Sequence, residues 1–175
     1  MARRGSIRFK KINEKEKSEQ QSMAQIESLQ QYLSKWQDVL RLRDWDIRMT
    51  SVNTEWRKTG DIKIDADDKK AVLMINAVNP RKENLEEVVI HELLHLKLWA
   101  MDQMLEQLLF SVFGEDETDQ KHKFAYGQFM TLLESTVEDL TKAFLSIAGD
   151  NKELAFGRVQ QFVDEELHKS SENHM

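Results

Sequence analysis

The stretch that decides the fold is Val88-Val89-Ile90-His91-Glu92-Leu93-Leu94-His95-Leu96, which places His-Glu-x-x-His inside an apolar run. On a helix, residues four apart lie on the same face, one turn from each other. His91 and His95 can therefore offer two imidazole nitrogens to one metal ion. Glu92 lies about 100° further around the axis, where its carboxylate can reach a water on the metal without being a ligand. Two neutral histidines, an activated water and a general base are the parts of a zinc hydrolase site.

Coincidence is the competing explanation, because five-residue patterns occur by chance and a lone histidine on an apolar face is usually a core or surface residue. The surroundings of the motif argue against chance. Apolar residues occupy nearly every side of this helix: Val88, Val89, Ile90, Leu93, Leu94, Leu96 and Leu98. A helix that is apolar all round is buried, and buried His and Glu side chains are costly unless something satisfies them. We therefore expect Zn²⁺ at His91 and His95, with Glu92 beside it.

Composition bounds the rest of the chain. Its 175 residues are 40% hydrophobic and 32% charged, which fits one globular domain with a core of its own. The absence of Cys excludes disulfides and thiolate metal ligands. No apolar run approaches the roughly 20 residues of a membrane span, and residues 1–9 lack the apolar core of a secretory signal. We expect a cytoplasmic protein without a membrane partner, and the net charge of −6 makes nucleic acid an unlikely partner.

The first 17 residues differ from the remainder because they are basic, with seven Lys or Arg against Glu14 and Glu16. The simplest interpretation is a solvated, flexible tail. The alternative is a segment that contacts nucleic acid or an acidic partner. The predicted organisation is a tail over 1–17, a single domain over 18–168, and a frayed C-terminus over 169–175.

Periodicity predicts an α+β fold. Helical spacing of apolar residues runs over 18–42, and three alternating stretches at 44–52, 59–65 and 71–77 predict a small, mainly antiparallel three-stranded sheet. The acidic segment between the second and third strands, 65–70, has some features of a calcium loop. It lacks the Gly and the terminal Glu of that pattern, so a hairpin turn is the better interpretation.

The helix that carries the motif should begin near Leu85. Asn84 is a good N-cap, with Glu87 three residues later as in a capping box. The pattern leaves open whether this helix runs to Phe113 or breaks near Asp102, but Gly114 ends it in either case.

Two C-terminal helices are expected after it, over 118–147 and 152–168. An apolar stripe marks the first of them: Tyr126, Met130, Leu133, Val137, Leu140 and Phe144.

A zinc hydrolase site needs a third protein ligand and an open fourth position. His168 and His174 lie near the end of the chain and are expected at the surface. On the helix over 118–147, Glu134 lies near the edge of the apolar stripe and Glu138 further out. His122 lies at the centre of the stripe, three turns before Glu134. The residue pattern leaves Glu134, His122 and Glu138 open as the third ligand.

The motif and its flanks resemble the extended signature of zincin-type metallopeptidases, in which a Val or Thr often stands three residues before the first His, as Val88 does here. Lys97 departs from the signature, which usually has a hydrophobic residue there, and indicates that one side of the helix becomes exposed after the second ligand. The middle of the chain is similar to short zincin-like domains of phages and mobile elements. In such gluzincin-like proteins the next helix often reads Glu-x-x-Val-x-x-Leu with the Glu as ligand, which here selects Glu134.

The resemblance implies a cytoplasmic zinc endopeptidase, in the host cytoplasm if phage-encoded, with a protein or peptide substrate. Glu92 would be the general base for the metal-activated water. A strand within 71–77 would align the substrate backbone, which makes Leu73 and Ile75 candidate substrate-binding residues, and His122 or Tyr126 would stabilise the oxyanion.

Two other functions remain open. One is a zinc-binding, zincin-like scaffold that interacts with a protein and cleaves nothing. The other is a nucleic-acid-associated factor that uses the basic tail. The sequence does not indicate an oligomeric state.

Overall fold

The computed structural model describes residues 26–77, 84–114, 116, 118–153, 159–160, 162–163 and 166–167. The elements are α1 (26–39), β1 (Asp46–Val52), β2 (Gly60–Asp65), β3 (Lys70–Asn76), α2 (Leu85–Phe113) and α3 (Gln120–Ala148). The predicted α+β class, with one helix before a three-stranded sheet and helices after it, is confirmed. Each strand lies within two residues of its predicted position.

Some predictions fall outside this range. The tail over 1–17 and the C-terminus over 169–175 lie outside the described residues, as does most of the predicted helix over 152–168, whose described residues 159–160, 162–163 and 166–167 are helical. No helix in the described part of the chain is both long enough and apolar enough to cross a membrane.

The sheet is mixed, which corrects the prediction of a mainly antiparallel one. Its strand order is β1-β3-β2, so β3 is the central strand. β2 and β3 form an antiparallel hairpin through the turn at 66–69, while β1 and β3 run parallel. The loop over 53–59 therefore has to cross the end of β3 before β2 can begin.

Asn76, at the end of β3, holds this crossing loop in place. Its side-chain amide donates to the carbonyl oxygens of Trp56 (3.0 Å) and Lys58 (2.7 Å), and its backbone N–H donates to the Thr59 carbonyl oxygen at 2.9 Å. A buried amide with these partners is satisfied. The pairing of β1 with β3 thus depends on contacts between distant residues, which local periodicity does not report.

Helix α1 packs on the core through the helical stripe expected of it. Leu29, Leu33, Trp36 and Leu40 are buried, whereas Ile26 and Val39, at the edges of the predicted stripe, are exposed.

Polar side chains at the start of α2 bind this helix to α1 and to the end of α3. Asn84 is the predicted N-cap: its side-chain oxygen accepts from the backbone N–H groups of Glu86 (3.1 Å) and Glu87 (3.3 Å). Its amide nitrogen donates to the carbonyl oxygens of Asn151 (2.9 Å) and Glu153 (2.7 Å). One side chain therefore caps α2 and fastens the segment that follows α3.

Glu86 is fully buried and completes this junction. One carboxylate oxygen accepts from Lys35 Nζ (2.9 Å) and Trp36 Nε1 (2.8 Å), and the other accepts from the backbone N–H groups of Asp150 and Asn151, each at 2.8 Å. Four donors satisfy the buried carboxylate, so its burial is compatible with a stable fold.

Helix α2 does not break near Asp102 but continues to Phe113, where Gly114 adopts φ 83° and ends it as predicted. At about 43 Å long by helical rise, α2 extends beyond the three short strands. We call residues 85–97 its proximal half and residues 98–113 its distal half. The proximal half is almost wholly buried up to Leu96, and Lys97 is exposed as expected.

Helix α3 returns antiparallel to α2, because its start lies against the distal half and its end reaches Glu86. Asp119 caps it by accepting from the backbone N–H groups of Lys121 and His122. The buried line differs from the predicted stripe: Leu133 and Val137 are buried as expected and Thr141 and Leu145 join them, but Tyr126 is exposed.

Candidate metal centre

His91 and His95 project from one face of the proximal half of α2, as their spacing predicts. Their Nε2 atoms lie 3.2 Å apart and their rings meet edge to face, with centroids separated by 4.9 Å. Each side chain is about one-fifth exposed, 19% for His91 and 21% for His95. Two imidazole nitrogens therefore converge on one point at the edge of the core.

Glu134 of α3 faces the same point. Its carboxylate oxygens lie 3.7 Å from His91 Nε2 and 3.5 Å from His95 Nε2. The three residues form a group that could hold a metal ion, with one ligand atom from each lying within 4.8 Å of the others. Ligands 2.0–2.1 Å from a tetrahedral zinc would be about 3.3 Å from one another. The observed separations are close to that value, so these residues fit the ion without a rearrangement of either helix.

Glu138, the alternative carboxylate on α3, lies behind the first histidine. Its Oε2 is 3.3 Å from His91 Nδ1, although the two atoms lack the alignment of a hydrogen bond, and its Oε1 is 3.4 Å from Lys142 Nζ. This places Glu138 against the ring nitrogen that faces away from the converging Nε2 atoms. Its carboxylate is therefore not one of the three groups that converge.

His122, the other candidate for third ligand, is not brought to this centre. It is buried at the start of α3, with its ring 5.1 Å from Phe110 and 6.3 Å from Phe113, and among the described residues its Nε2 has no hydrogen-bond partner. Twelve residues of helix, about 18 Å, separate it from Glu134. Tyr126, whose ring is 6.3 Å from His122, lies on the same remote part of the hairpin. The structure does not support the expectation that either residue stabilises an oxyanion at the metal.

Leu73 and Ile75 are also misplaced as substrate-binding residues. Both are buried in the hydrophobic core, and their strand is the central one, hydrogen-bonded to β1 on one side and to β2 on the other. A substrate backbone can add only to a strand with an unpaired edge. The sequence identified the most apolar strand, but its apolar character reflects burial in the middle of the sheet.

Glu92 occupies the position expected of a base beside the metal ligands. The residue is 8% exposed, and burial raises the pKa of its carboxyl group to about 7. In the metal-free protein, this carboxyl group is therefore poised to exchange a proton near neutral pH.

Gly60, the first residue of β2, makes room for that carboxylate. A Cβ at this position would lie 2.7 Å from Glu92 Oε1 and 2.8 Å from Val88 Cγ1. Sequence analysis missed Gly60, although a glycine within a strand pattern is a recognised sign of close approach by another group.

Charged residues of β2 and the preceding loop also influence the site. Lys58 Nζ lies 3.0 Å from Asp61 Oδ1, and the charges of both residues act on Glu92 and His95. Burial, followed by the neighbouring His91, lowers the pKa of His95. A lowered pKa favours the neutral imidazole, which is the form that binds metal.

Comparisons of the chain with protein-family models, with curated proteins and with solved structures gave no match. The candidate centre is therefore defined by its own geometry: three converging side chains from two helices, with a buried carboxylate next to them.

Proposed function

We propose that the protein is a zinc-dependent peptidase whose metal is held by His91, His95 and Glu134. The observation that carries the proposal is the convergence of two imidazole Nε2 atoms and one carboxylate within 3.2–3.7 Å of each other. Three protein ligands leave a fourth tetrahedral position for water, which is the arrangement of catalytic zinc sites.

The donor set favours zinc over other common metal ions. Magnesium and calcium are bound mainly by oxygen atoms, whereas two imidazoles and one carboxylate suit zinc. When bound, zinc would lower the pKa of a water ligand to about 7 and polarise a carbonyl oxygen. The role of the protein is to hold the three ligands in place and to accept and return the proton of the attacking water.

Glu92 supplies the proton transfer in this proposal. Its carboxylate takes a proton from the attacking water and passes it to the amine that leaves when the peptide bond breaks. Its burial and its contact with the start of β2 support this role. A purely structural metal site has no need of a base beside its ligands.

The substrate backbone is best aligned by β2, not by β3. β2 is an edge strand in the described part of the sheet, because its pairing partner there is β3 alone. Its first residue, Gly60, lies directly against Glu92 and Val88. An extended peptide added to this edge would pass beside the general base, and backbone hydrogen bonds would hold it.

Glu138 supports the first ligand. A carboxylate near the second nitrogen of a metal-bound histidine selects its tautomer and fixes its ring, and loss of such a partner typically weakens metal binding by about 10- to 100-fold. The 3.3 Å separation from His91 Nδ1 is consistent with this role.

The test combines metal analysis with cleavage of a fluorogenic peptide library. The purified protein should contain about one zinc per chain, and His91→Ala, His95→Ala or Glu134→Ala should remove it. His122→Ala is the matched control and should leave the zinc content unchanged. Zinc retained by both Glu134→Ala and His95→Ala would refute the proposed centre.

Glu92→Gln separates catalysis from metal binding. This variant should keep its zinc and lose cleavage, because the amide cannot accept the proton. If the wild-type protein binds zinc tightly but cleaves nothing, and Glu92→Gln leaves its biological activity intact, the alternative of a non-catalytic zinc-binding scaffold replaces the peptidase.

A further inference from the structure

The distal half of α2 carries an apolar surface that the metal centre does not use. Met101, Met104, Leu108 and Val112 are spaced by three, four and four residues, so they form one stripe along the helix. They are 50%, 58%, 50% and 63% exposed. We call these four residues the distal stripe. A row of exposed apolar side chains on one helix face is typical of an interaction surface, and methionine adapts readily to the shape of a partner.

The distal stripe continues a face that is buried closer to the sheet. Leu94 stands two turns before Met101 on the same side of α2 and is 3% exposed. The side of the distal half that faces α3 contains Phe110 and Phe113, which contact His122. The stripe is therefore the face that loses its cover where α2 extends past the sheet.

The charge around the distal stripe indicates what would cover it. Residues 97–123 contain six carboxylate side chains against three lysines, Lys97, Lys121 and Lys123. Within α2, burial and the neighbouring Glu106 raise the pKa of Asp102, which shows that like charges are close together. An apolar stripe on an acidic segment favours an occupant that is apolar and basic.

Two possible occupants fit poorly. The described residues Val159, Phe162, Val163 and Leu167 present exposed apolar side chains, but residues 159–167 include three acidic residues and no basic one. A second copy of the hairpin would bring two acidic segments together.

We propose that residues 1–17 of the same chain bind the distal stripe. They carry seven Lys or Arg against two Glu, with Ile7, Phe9 and Ile12 among them. Residues 1–17 alone can span about 56 Å when extended, which exceeds the length of α2. The basic residues pair with the acidic segment around the stripe, and the three apolar side chains cover its methionines and leucine. The inference is independent of the metal centre.

The test uses a nitroxide label on the full-length protein, which has no native cysteine to interfere. Gln107→Cys places the label on an exposed position beside the stripe without changing the stripe itself. The amide signals of residues 7–12 should lose intensity by paramagnetic relaxation. The matched control is Asp67→Cys, on the exposed turn between β2 and β3, and its label should leave those signals unchanged.

Two further measurements test the physical basis. In about 1 M salt, where charges are screened within roughly 3 Å, the effect of the Gln107→Cys label should fall. Leu108→Glu combined with Val112→Glu should abolish it, whereas Ser111→Glu, which adds charge but removes no apolar side chain, should preserve it. Leu108, Ser111 and Val112 are all exposed, so the fold should tolerate these changes.

Other outcomes overturn the proposal. Unchanged signals of residues 7–12 with the Gln107→Cys label would show that the segment does not bind there. If the effect appears only in mixtures of labelled chains with isotope-enriched unlabelled chains, the stripe joins two copies. If both label positions weaken the signals equally, the contact is not specific.

Discussion

In the proximal half of α2, Glu86 and Leu93 are fully buried. In the distal half, Glu106 is partly exposed and Leu108 is exposed, because this part of the helix extends beyond the sheet. The residue types are the same, and the backbone is one continuous helix. The difference lies in what surrounds each half: α1, the sheet and α3 around the first, and mainly α3 beside the second. The candidate metal ligands His91 and His95 therefore lie in the part of α2 that is packed on several sides. Preorganised ligands require that support.

The largest difference between the halves should appear when a carboxylate is removed from each. Glu86→Ala leaves two backbone N–H groups and Trp36 Nε1 without their acceptor, while Lys35 keeps only its pair with Asp150. The unfolding free energy should therefore fall by about 3–5 kcal/mol. Glu106→Ala removes a contact with Gln103 and a repulsion with Asp102, and should change it by less than about 0.5 kcal/mol. Urea denaturation of both variants measures the two values. Similar losses would mean that the two halves are equally supported.

Truncating one leucine in each half of α2 compares how much apolar packing contributes to the unfolding free energy. Leu93 is fully buried, so Leu93→Ala should cost about 2–5 kcal/mol through lost burial and a cavity. Leu108→Ala, at a half-exposed site, should cost less than about 1 kcal/mol in a variant that lacks residues 1–17. Thermal and urea unfolding provide the measurement. A large cost for Leu108→Ala in that shortened chain would show that another element covers the distal stripe.

The pH dependence of stability should reveal the proton held in the proximal half. In the metal-free protein, the folded chain retains the proton of Glu92 up to pH about 7, whereas an ordinary Glu loses it near 4.5. Folding is therefore favoured at the lower pH, and the contribution of Glu92 should be lost as pH rises from about 4.5 to 7, by at most about 3 kcal/mol.

The difference between wild type and Glu92→Gln isolates this contribution from that of His95, whose lowered pKa acts in the opposite direction. Urea denaturation of the chelator-treated proteins at several pH values measures it. Asp102→Asn in the distal half is the matched control, and its effect should be smaller because Asp102 is less buried. Parallel curves for wild type and Glu92→Gln would contradict the prediction.

The smallest expected effect concerns two glycines. Gly60→Ala would push a Cβ against Glu92 Oε1 and Val88 Cγ1, and overpacking of this kind costs about 1–3 kcal/mol. Gly127→Ala, in α3 with open space around the added methyl group, should stabilise the helix by about 0.5–1 kcal/mol. Thermal unfolding should therefore show a lower melting temperature for Gly60→Ala and a higher one for Gly127→Ala. Peptide cleavage should also fall in Gly60→Ala if the displaced carboxylate is the general base.

Much of the architecture could be predicted because local signals were strong. The Asn84 cap and Gly114 fixed the ends of α2, and alternation located the three strands within two residues. The spacing of His91 and His95 follows from helical geometry alone. Glu134 was preferred by resemblance, and the structure brings its carboxylate to the same point.

The errors came from contacts between distant segments. Parallel pairing of β1 with β3 depends on the loop that Asn76 holds, and the central place of β3 turned two expected substrate contacts, Leu73 and Ile75, into core residues. His122 lies on the same helix as Glu134 and faces α2 as predicted, but its distance along the axis places it against Phe110. Periodicity gives the face of a helix, while the position at which another helix crosses it must come from the fold.

The hydrogen bonds from the backbone N–H groups of Asp150 and Asn151 to Glu86 also limit how early in translation the start of α2 can be fully stabilised. They join residues 64 and 65 positions apart, so they cannot form until most of the chain has been synthesised. A nascent chain that ends before Asp150 has not yet supplied two of the donors for Glu86, even though both histidines and Glu134 have already been synthesised. A translation product truncated before Asp150 would therefore carry His91, His95 and Glu134, the residues proposed to hold a metal, without the junction that supports the start of their helix.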